Sequence, residues 1–167
     1  GNLKNFSTIK SNLISKIAPN LQKNITGNTD SEVIFYLLIS KIMNKFSSKK
    51  INYPLKNLVK AIRETINEIE IIAGKIYQDE SGSAKETYIS FIITNGSLML
   101  AHQGGKSIYY AKNTAINELT CLSSSNNIEF DSEKHIIFSS EPIDNKNNWN
   151  KLNPYEIVAV DYNFKVQ

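Results

Sequence analysis

One thiol, Cys121, and two imidazoles, His102 and His135, are the only such groups in the 167-residue chain. A catalytic thiol needs a neighbouring base and a lowered pKa, and Thr120-Cys121-Leu122 supplies neither, so Cys121 reads as a small buried or half-buried residue. His102 ends the apolar run Leu98-Met99-Leu100-Ala101 and is expected to be a packed or edge histidine of a strand rather than a general base. His102 and His135 lie far apart without ligand-like spacing, and one cysteine makes no cluster, so no metal site is expected. Glu141, in Ser139-Ser140-Glu141-Pro142, falls just beyond a strand end, where functional carboxylates occur; a turn hydrogen bond accounts for it equally well.

The remaining chemistry-bearing stretch is Gly27-Asn28-Thr29-Asp30-Ser31-Glu32, followed by the apolar block Val33 to Ile39. Gly27 and Asn28 are turn formers, Thr29 or Ser31 can cap the first helical amides, and Asp30 with Glu32 sets negative charge where the helix dipole is positive. By physics alone this is a helix N-terminus, and most sequences of this kind serve only their helix.

The elements that must position these residues emerge from periodicity. Leu3, Phe6, Ile9, Leu13, Ile14 and Ile17 recur at three- and four-residue intervals and predict a helix over about 3–17, ending before Pro19. A polar loop, 22–28, leads to a second helix over about 31–46, apolar nearly all round in its first half. Pro54 is placed as the first residue of a third helix that runs to about Tyr77 on the stripe Leu55, Leu58, Val59, Ile62, Ile66, Ile69 and Ile72.

The pattern then changes to strands: 87–94, a type I′ turn at Asn95-Gly96, 98–102, a second turn at Gly104-Gly105, and 107–111. Further strands are expected at 135–139, 156–161 and 164–166, with a possible short one at 119–122, and a long loop carries Pro142, Trp149 and Pro154. Helices first and antiparallel strands after them give an α+β layered fold in one domain, 1–167.

Composition narrows the function. With 41% hydrophobic and 21% charged residues the chain is an ordinary globular domain. The net charge is only +3 and Arg63 is the sole arginine, which argues against a nucleic-acid partner. Val33–Ile39 is too short for a membrane span and no signal-type segment is present, so neither a membrane nor export is expected and the location is cytoplasmic. No cofactor is expected.

The segments Gly1-Asn2-Leu3-Lys4-Asn5-Phe6 and Gly27-Asn28-Thr29-Asp30-Ser31-Glu32 resemble those of the class II glutamine amidotransferases, which are N-terminal-nucleophile hydrolases. Asn95 to His102, Gly104 to Tyr110, Ser139 to Pro142, Trp149 and Glu156 to Asp161 resemble its stand-alone amidotransferase-like branch. The resemblance implies a four-layer αββα sandwich and a small-molecule substrate, glutamine or a γ-glutamyl compound, attacked by the thiol of an N-terminal cysteine. It implies that Gly1 contributes the backbone N–H of the oxyanion hole and that Asp30 holds the substrate's α-ammonium. The cysteine, the oxyanion-hole asparagine and the arginine for the α-carboxylate would lie upstream of Gly1. The chain is therefore expected to be the C-terminal part of the domain, inactive by itself and completed by an N-terminal half or a partner chain, with sheet edges and apolar faces left open for it. The rival expectation is a non-catalytic α+β interaction or regulatory module in which 29–32 is only a cap.

Overall fold

The computed structural model describes residues 1–46, 54–80, 82–83, 85–113, 135–145 and 148–166. The possible strand at 119–122, and Cys121 with it, lie outside the described residues. Among the described residues four helices, α1 (Phe6–Ser15), α2 (Pro19–Gln22), α3 (Asp30–Lys45) and α4 (Leu55–Ala73), precede six strands. The strands are β1 (Phe91–Thr94), β2 (Leu98–His102), β3 (Tyr109–Asn113), β4 (His135–Ser139), β5 (Trp149–Lys151) and β6 (Ile157–Asp161). They form two antiparallel three-stranded sheets, ordered β1-β2-β6 and β4-β3-β5.

Side-chain alternation along β2 and β6 stacks three layers. Leu100, Ile157 and Ala159 share one core with Leu13, Val33, Leu37, Ile62 and Ile69 of the helices. Ala101 and Val158, on the opposite face of the same strands, pack with Ile108, Leu152, Tyr110 and Phe138 in a second core between the sheets. The β6 strand is covered on both faces and has no solvent side, which is why Ile157-Val158-Ala159-Val160 is buried without interruption. Helix layer, sheet and sheet are thus three of the four layers of an αββα sandwich among the described residues.

Several boundaries differ from expectation for local reasons. Asn5 takes a left-handed φ of 55° and α1 starts at Phe6, leaving Leu3 outside the helix and buried. Pro19 does more than end α1: it is the first residue of the single turn α2, a role its fixed φ suits. Pro54 caps α4 rather than opening it, and the helix stops at Ala73 because Gly74 turns the chain at φ 84°. The hairpin between β1 and β2 is not type I′. Its two loop residues are Gly96 and Ser97, with Asn95 N–H bonded to Leu98 O (3.3 Å), and only Gly96 has positive φ (87°). Positive φ at the first loop residue alone is the type II′ pattern, and the Asn95 side chain stabilises it by accepting the Ser97 and Leu98 N–H groups, each at 3.0 Å. The strand expected at 107–111 runs from Tyr109, and Trp149–Lys151, expected as loop, is β5, paired on β3.

Candidate functional site

Thr29 is the N-cap of α3, with its Oγ1 accepting the Glu32 N–H at 3.3 Å. The Glu32 carboxylate reaches back to the N–H groups of Thr26 (3.0 Å) and Gly27 (2.8 Å), so the preceding loop is tied to the helix it feeds. Ser31, the other capping candidate, instead donates its N–H to Asp30 Oδ1 at 2.7 Å.

Asp30 faces the beginning of the chain. Its Oδ2 accepts the backbone N–H of Leu3 at 2.7 Å across 27 positions of sequence. Next to Leu3, Asn2 forms an antiparallel bridge with Tyr88, N–H to O at 2.8 Å and the reverse bond at 2.7 Å. Lys4 N–H then reaches Thr87 Oγ1 (3.2 Å), whose hydroxyl donates to Ala73 O (3.0 Å). Residues 1–4 are therefore sewn between the α3 N-terminus and the stretch leading into β1, and this seam draws the Gly1 segment and Asp30 together. Each Asp30 oxygen takes one backbone N–H and keeps further lone-pair capacity for a cationic donor.

Gly1 lies where two grooves meet. One, between α3 and β1, is lined by Gly1, Ser31, Ile34, Phe35, Leu38 and Phe91 and is mainly apolar. The other, about 540 Å³, is bordered by Gly1, Tyr88, Ser90, Lys106, Ser107 and Ser140. In it, Ser90 fixes a turn by accepting the N–H groups of Gly104 (2.9 Å) and Lys106 (3.0 Å) while donating to Lys106 O (2.7 Å). The Lys106 ammonium sits 4.3 Å above the Tyr88 ring and donates to Glu80 O at 2.5 Å. The Glu80 carboxylate accepts from Lys151 Nζ (2.7 Å) and the Ser107 hydroxyl, bonds that hold its pKa below the ordinary value. The groove's wall is mainly apolar, with Phe91, Ile92 and Ile108 beside these polar groups, which are already bonded within the protein.

The other candidates separate cleanly. His102 is 1% exposed on the helix-facing side of β2 and gives its Nδ1 proton to Ile89 O at 2.8 Å. Burial pushes its pKa down to about 4, against the upward pull of the Ile89 carbonyl and the Glu70 charge. It is a packed neutral histidine. Glu141 is exposed, its N–H bonded to Ser139 Oγ (3.4 Å), and it is Ser140 that borders the groove.

A carboxylate that sequence reasoning passed over is Glu70, which is 6% exposed. Its Oε1 accepts Ile76 N–H (3.0 Å) and Tyr155 O–H (2.8 Å), and its Oε2 accepts Lys75 Nζ (2.9 Å). Burial raises its pKa, but these three donors outweigh burial and leave it below the ordinary value. Its signal was legible: a charged residue on the apolar stripe of α4, four positions after Ile66 and three before Ala73.

Comparison with solved structures gives the fold a precedent. The chain superposes along its full length on a glutamine aminotransferase class-II domain protein from Silicibacter pomeroyi, with TM-score 0.62 and 17% identity, covering 63% of that protein. It also matches a predicted glutamine amidotransferase from Pseudomonas aeruginosa PA01, with TM-score 0.54 and 15% identity over 84% of this chain and 51% of that one. The chain thus spans less than two thirds of the length of either. No protein-family model and no curated protein matches the sequence. The structural similarity to class II glutamine amidotransferase domain proteins covers most of the chain, and at these identities it is a similarity of fold.

Proposed function

We propose that residues 1–167 are the C-terminal part of a class II glutamine amidotransferase-like hydrolase acting on glutamine or a γ-glutamyl amide in the cytoplasm. The nucleophile in this reading is an N-terminal cysteine thiol supplied from outside this sequence, by an upstream segment or a partner chain, so the present chain is inactive alone. The thiol adds to the side-chain carbonyl carbon, the amide nitrogen leaves protonated, as ammonia from glutamine or as the free amine from another γ-glutamyl amide, when the tetrahedral intermediate collapses to a thioester, and water then releases glutamate and restores the thiol.

Within this scheme the chain has two tasks. Asp30 binds the substrate's α-ammonium with an ionised carboxylate whose direction is set by Leu3 and Ser31. Gly1, as a peptide amide in a continuous chain, offers its N–H to the oxyanion. The Asp30–Leu3 hydrogen bond is the observation that supports the reading most: it ties the Asp30 carboxylate to the backbone two residues from Gly1, and Gly1 borders both grooves, although Asp30 itself lines neither.

The test is ammonia and acid release from glutamine and γ-glutamyl amides by the full-length protein, with covalent capture by an electrophilic glutamine analogue. Turnover and stoichiometric labelling of an N-terminal cysteine are expected. A full-length protein that neither turns over nor takes the label is instead the non-catalytic module in which Thr29 to Glu32 serve only α3.

A further inference from the structure

We propose that the open edge of β1 is completed by the polypeptide segment joined to the amine of Gly1 in the full-length protein, running antiparallel to β1 in the register already begun by Asn2 and Tyr88. The inference shares with the proposed function the need for an upstream segment, but none of its chemistry.

Hydrogen-bond alternation defines the edge. Ile89 N–H bonds to Gly104 O (2.8 Å) and Asn95 N–H to Leu98 O, so the odd-numbered residues of this stretch turn their backbone groups toward β2. The even-numbered residues turn theirs the other way. Tyr88 already uses that side, exchanging both bonds with Asn2. Ser90 and Ile92 come next along the same edge, which among the described residues has no strand beside it.

An antiparallel pair keeps the sum of its positions constant, so the pairing of Asn2 with Tyr88 sets the partner of every residue before Gly1. The residue immediately before Gly1 falls opposite Ser90, and the third before Gly1 falls opposite Ile92. Both are bonded pairs of the ladder. The two grooves that meet at Gly1 continue along this edge, one on each face of β1, both bordered by Ser90, Phe91 and Ile92. An added strand sends alternate side chains to opposite faces. Its second and fourth residues before Gly1 would enter the groove against Ile34, Phe35 and Leu38, and its first and third the groove against Tyr88 and Lys106. Ile92, 45% exposed, would be covered by the same event. One strand of fixed register thus satisfies a row of backbone groups and fills two grooves, and the solved structures with this fold have the extra length to supply one.

Hydrogen exchange on the full-length protein tests this amide by amide. The Ser90 and Ile92 amides should exchange roughly a hundredfold or more slower than unprotected amides, as the Ile93 amide does within its own sheet. A cysteine at the third residue before Gly1 should form a disulfide with Ile92→Cys, and one at the fourth should not. Fast exchange at Ser90 and Ile92 beside a protected Ile93 overturns the proposal, and so does protection that appears only as protein concentration rises, which assigns the edge to a second copy. Protection without hydrolytic activity supports the strand while removing the enzymatic reading.

Discussion

Asp30 accepts the backbone N–H of Leu3 at 2.7 Å, and through that one bond the first residues of the chain are fixed to the N-terminus of α3. Replacing Asp30 by Ala leaves the part-buried Leu3 amide without its acceptor and removes a charge from the positive end of the helix. A loss of about 1–3 kcal/mol in urea unfolding is expected, with Asp30→Asn nearer the lower end because its carbonyl oxygen still accepts.

Thr29→Ala removes the side-chain cap of α3 and should cost about 1 kcal/mol, whereas Ser31→Ala, whose hydroxyl does not cap, should cost only a few tenths. Equal losses in thermal unfolding of the two variants would contradict the assignment of Thr29 as the cap.

His102 makes stability depend on pH in a defined window. Its folded pKa of about 4 lies below the ordinary 6.5, so the proton binds the unfolded chain more tightly. Its contribution is complete above pH 6.5 and is lost as pH falls from 6.5 toward 4, amounting to roughly 3 kcal/mol. Urea midpoints measured across this range should fall for the wild type and fall less for His102→Gln; parallel curves for the two would rule the histidine out as the source. Glu70, held below its ordinary value, adds a loss of the same sign only once pH falls below that of an ordinary glutamate.

Glu70→Leu deprives the Ile76 amide and the Tyr155 hydroxyl of their shared acceptor and leaves Lys75 without its partner. A cost of about 2–4 kcal/mol is expected, with Glu70→Gln intermediate because one oxygen remains. A Tyr155→Phe change in the Glu70→Leu background should then add little, which a double-mutant cycle measures.

How much was legible in the sequence depends on the kind of signal each element carries. The helices α3 and α4 were readable because an amphipathic or wholly apolar period runs for four or more turns, and β2 and β6 because their apolar runs are flanked by turn residues. The short α2 and the three-residue β5 carry no period at all; α2 is one turn supported by Ala18 N–H bonding to Ser40 Oγ (2.8 Å), and β5 is too short for alternation to show, lying at the edge of its sheet among the described residues. Asn95-Gly96 announced a hairpin correctly but not its centre, since the side chain of Asn95 moved the loop one residue onward. At the site, Asp30 stood out as a carboxylate at a helix start, but its bond to Leu3 depends on two segments 27 positions apart and has no local signature. Glu70 did carry a local signal, a charge on the apolar stripe of α4, but Tyr155, one of its partners, is 85 positions away and joined to it only by the fold.

The central claim is tested most directly by the kinetics of the full-length protein with glutamine or a γ-glutamyl amide, comparing wild type with Asp30→Asn. Loss of the charged partner of the α-ammonium should lower kcat/KM about 10- to 100-fold, chiefly through KM, while circular dichroism and cooperative unfolding are retained. A wild-type protein that hydrolyses these substrates, and an Asp30→Asn variant that does so with the same kcat/KM, would contradict the account.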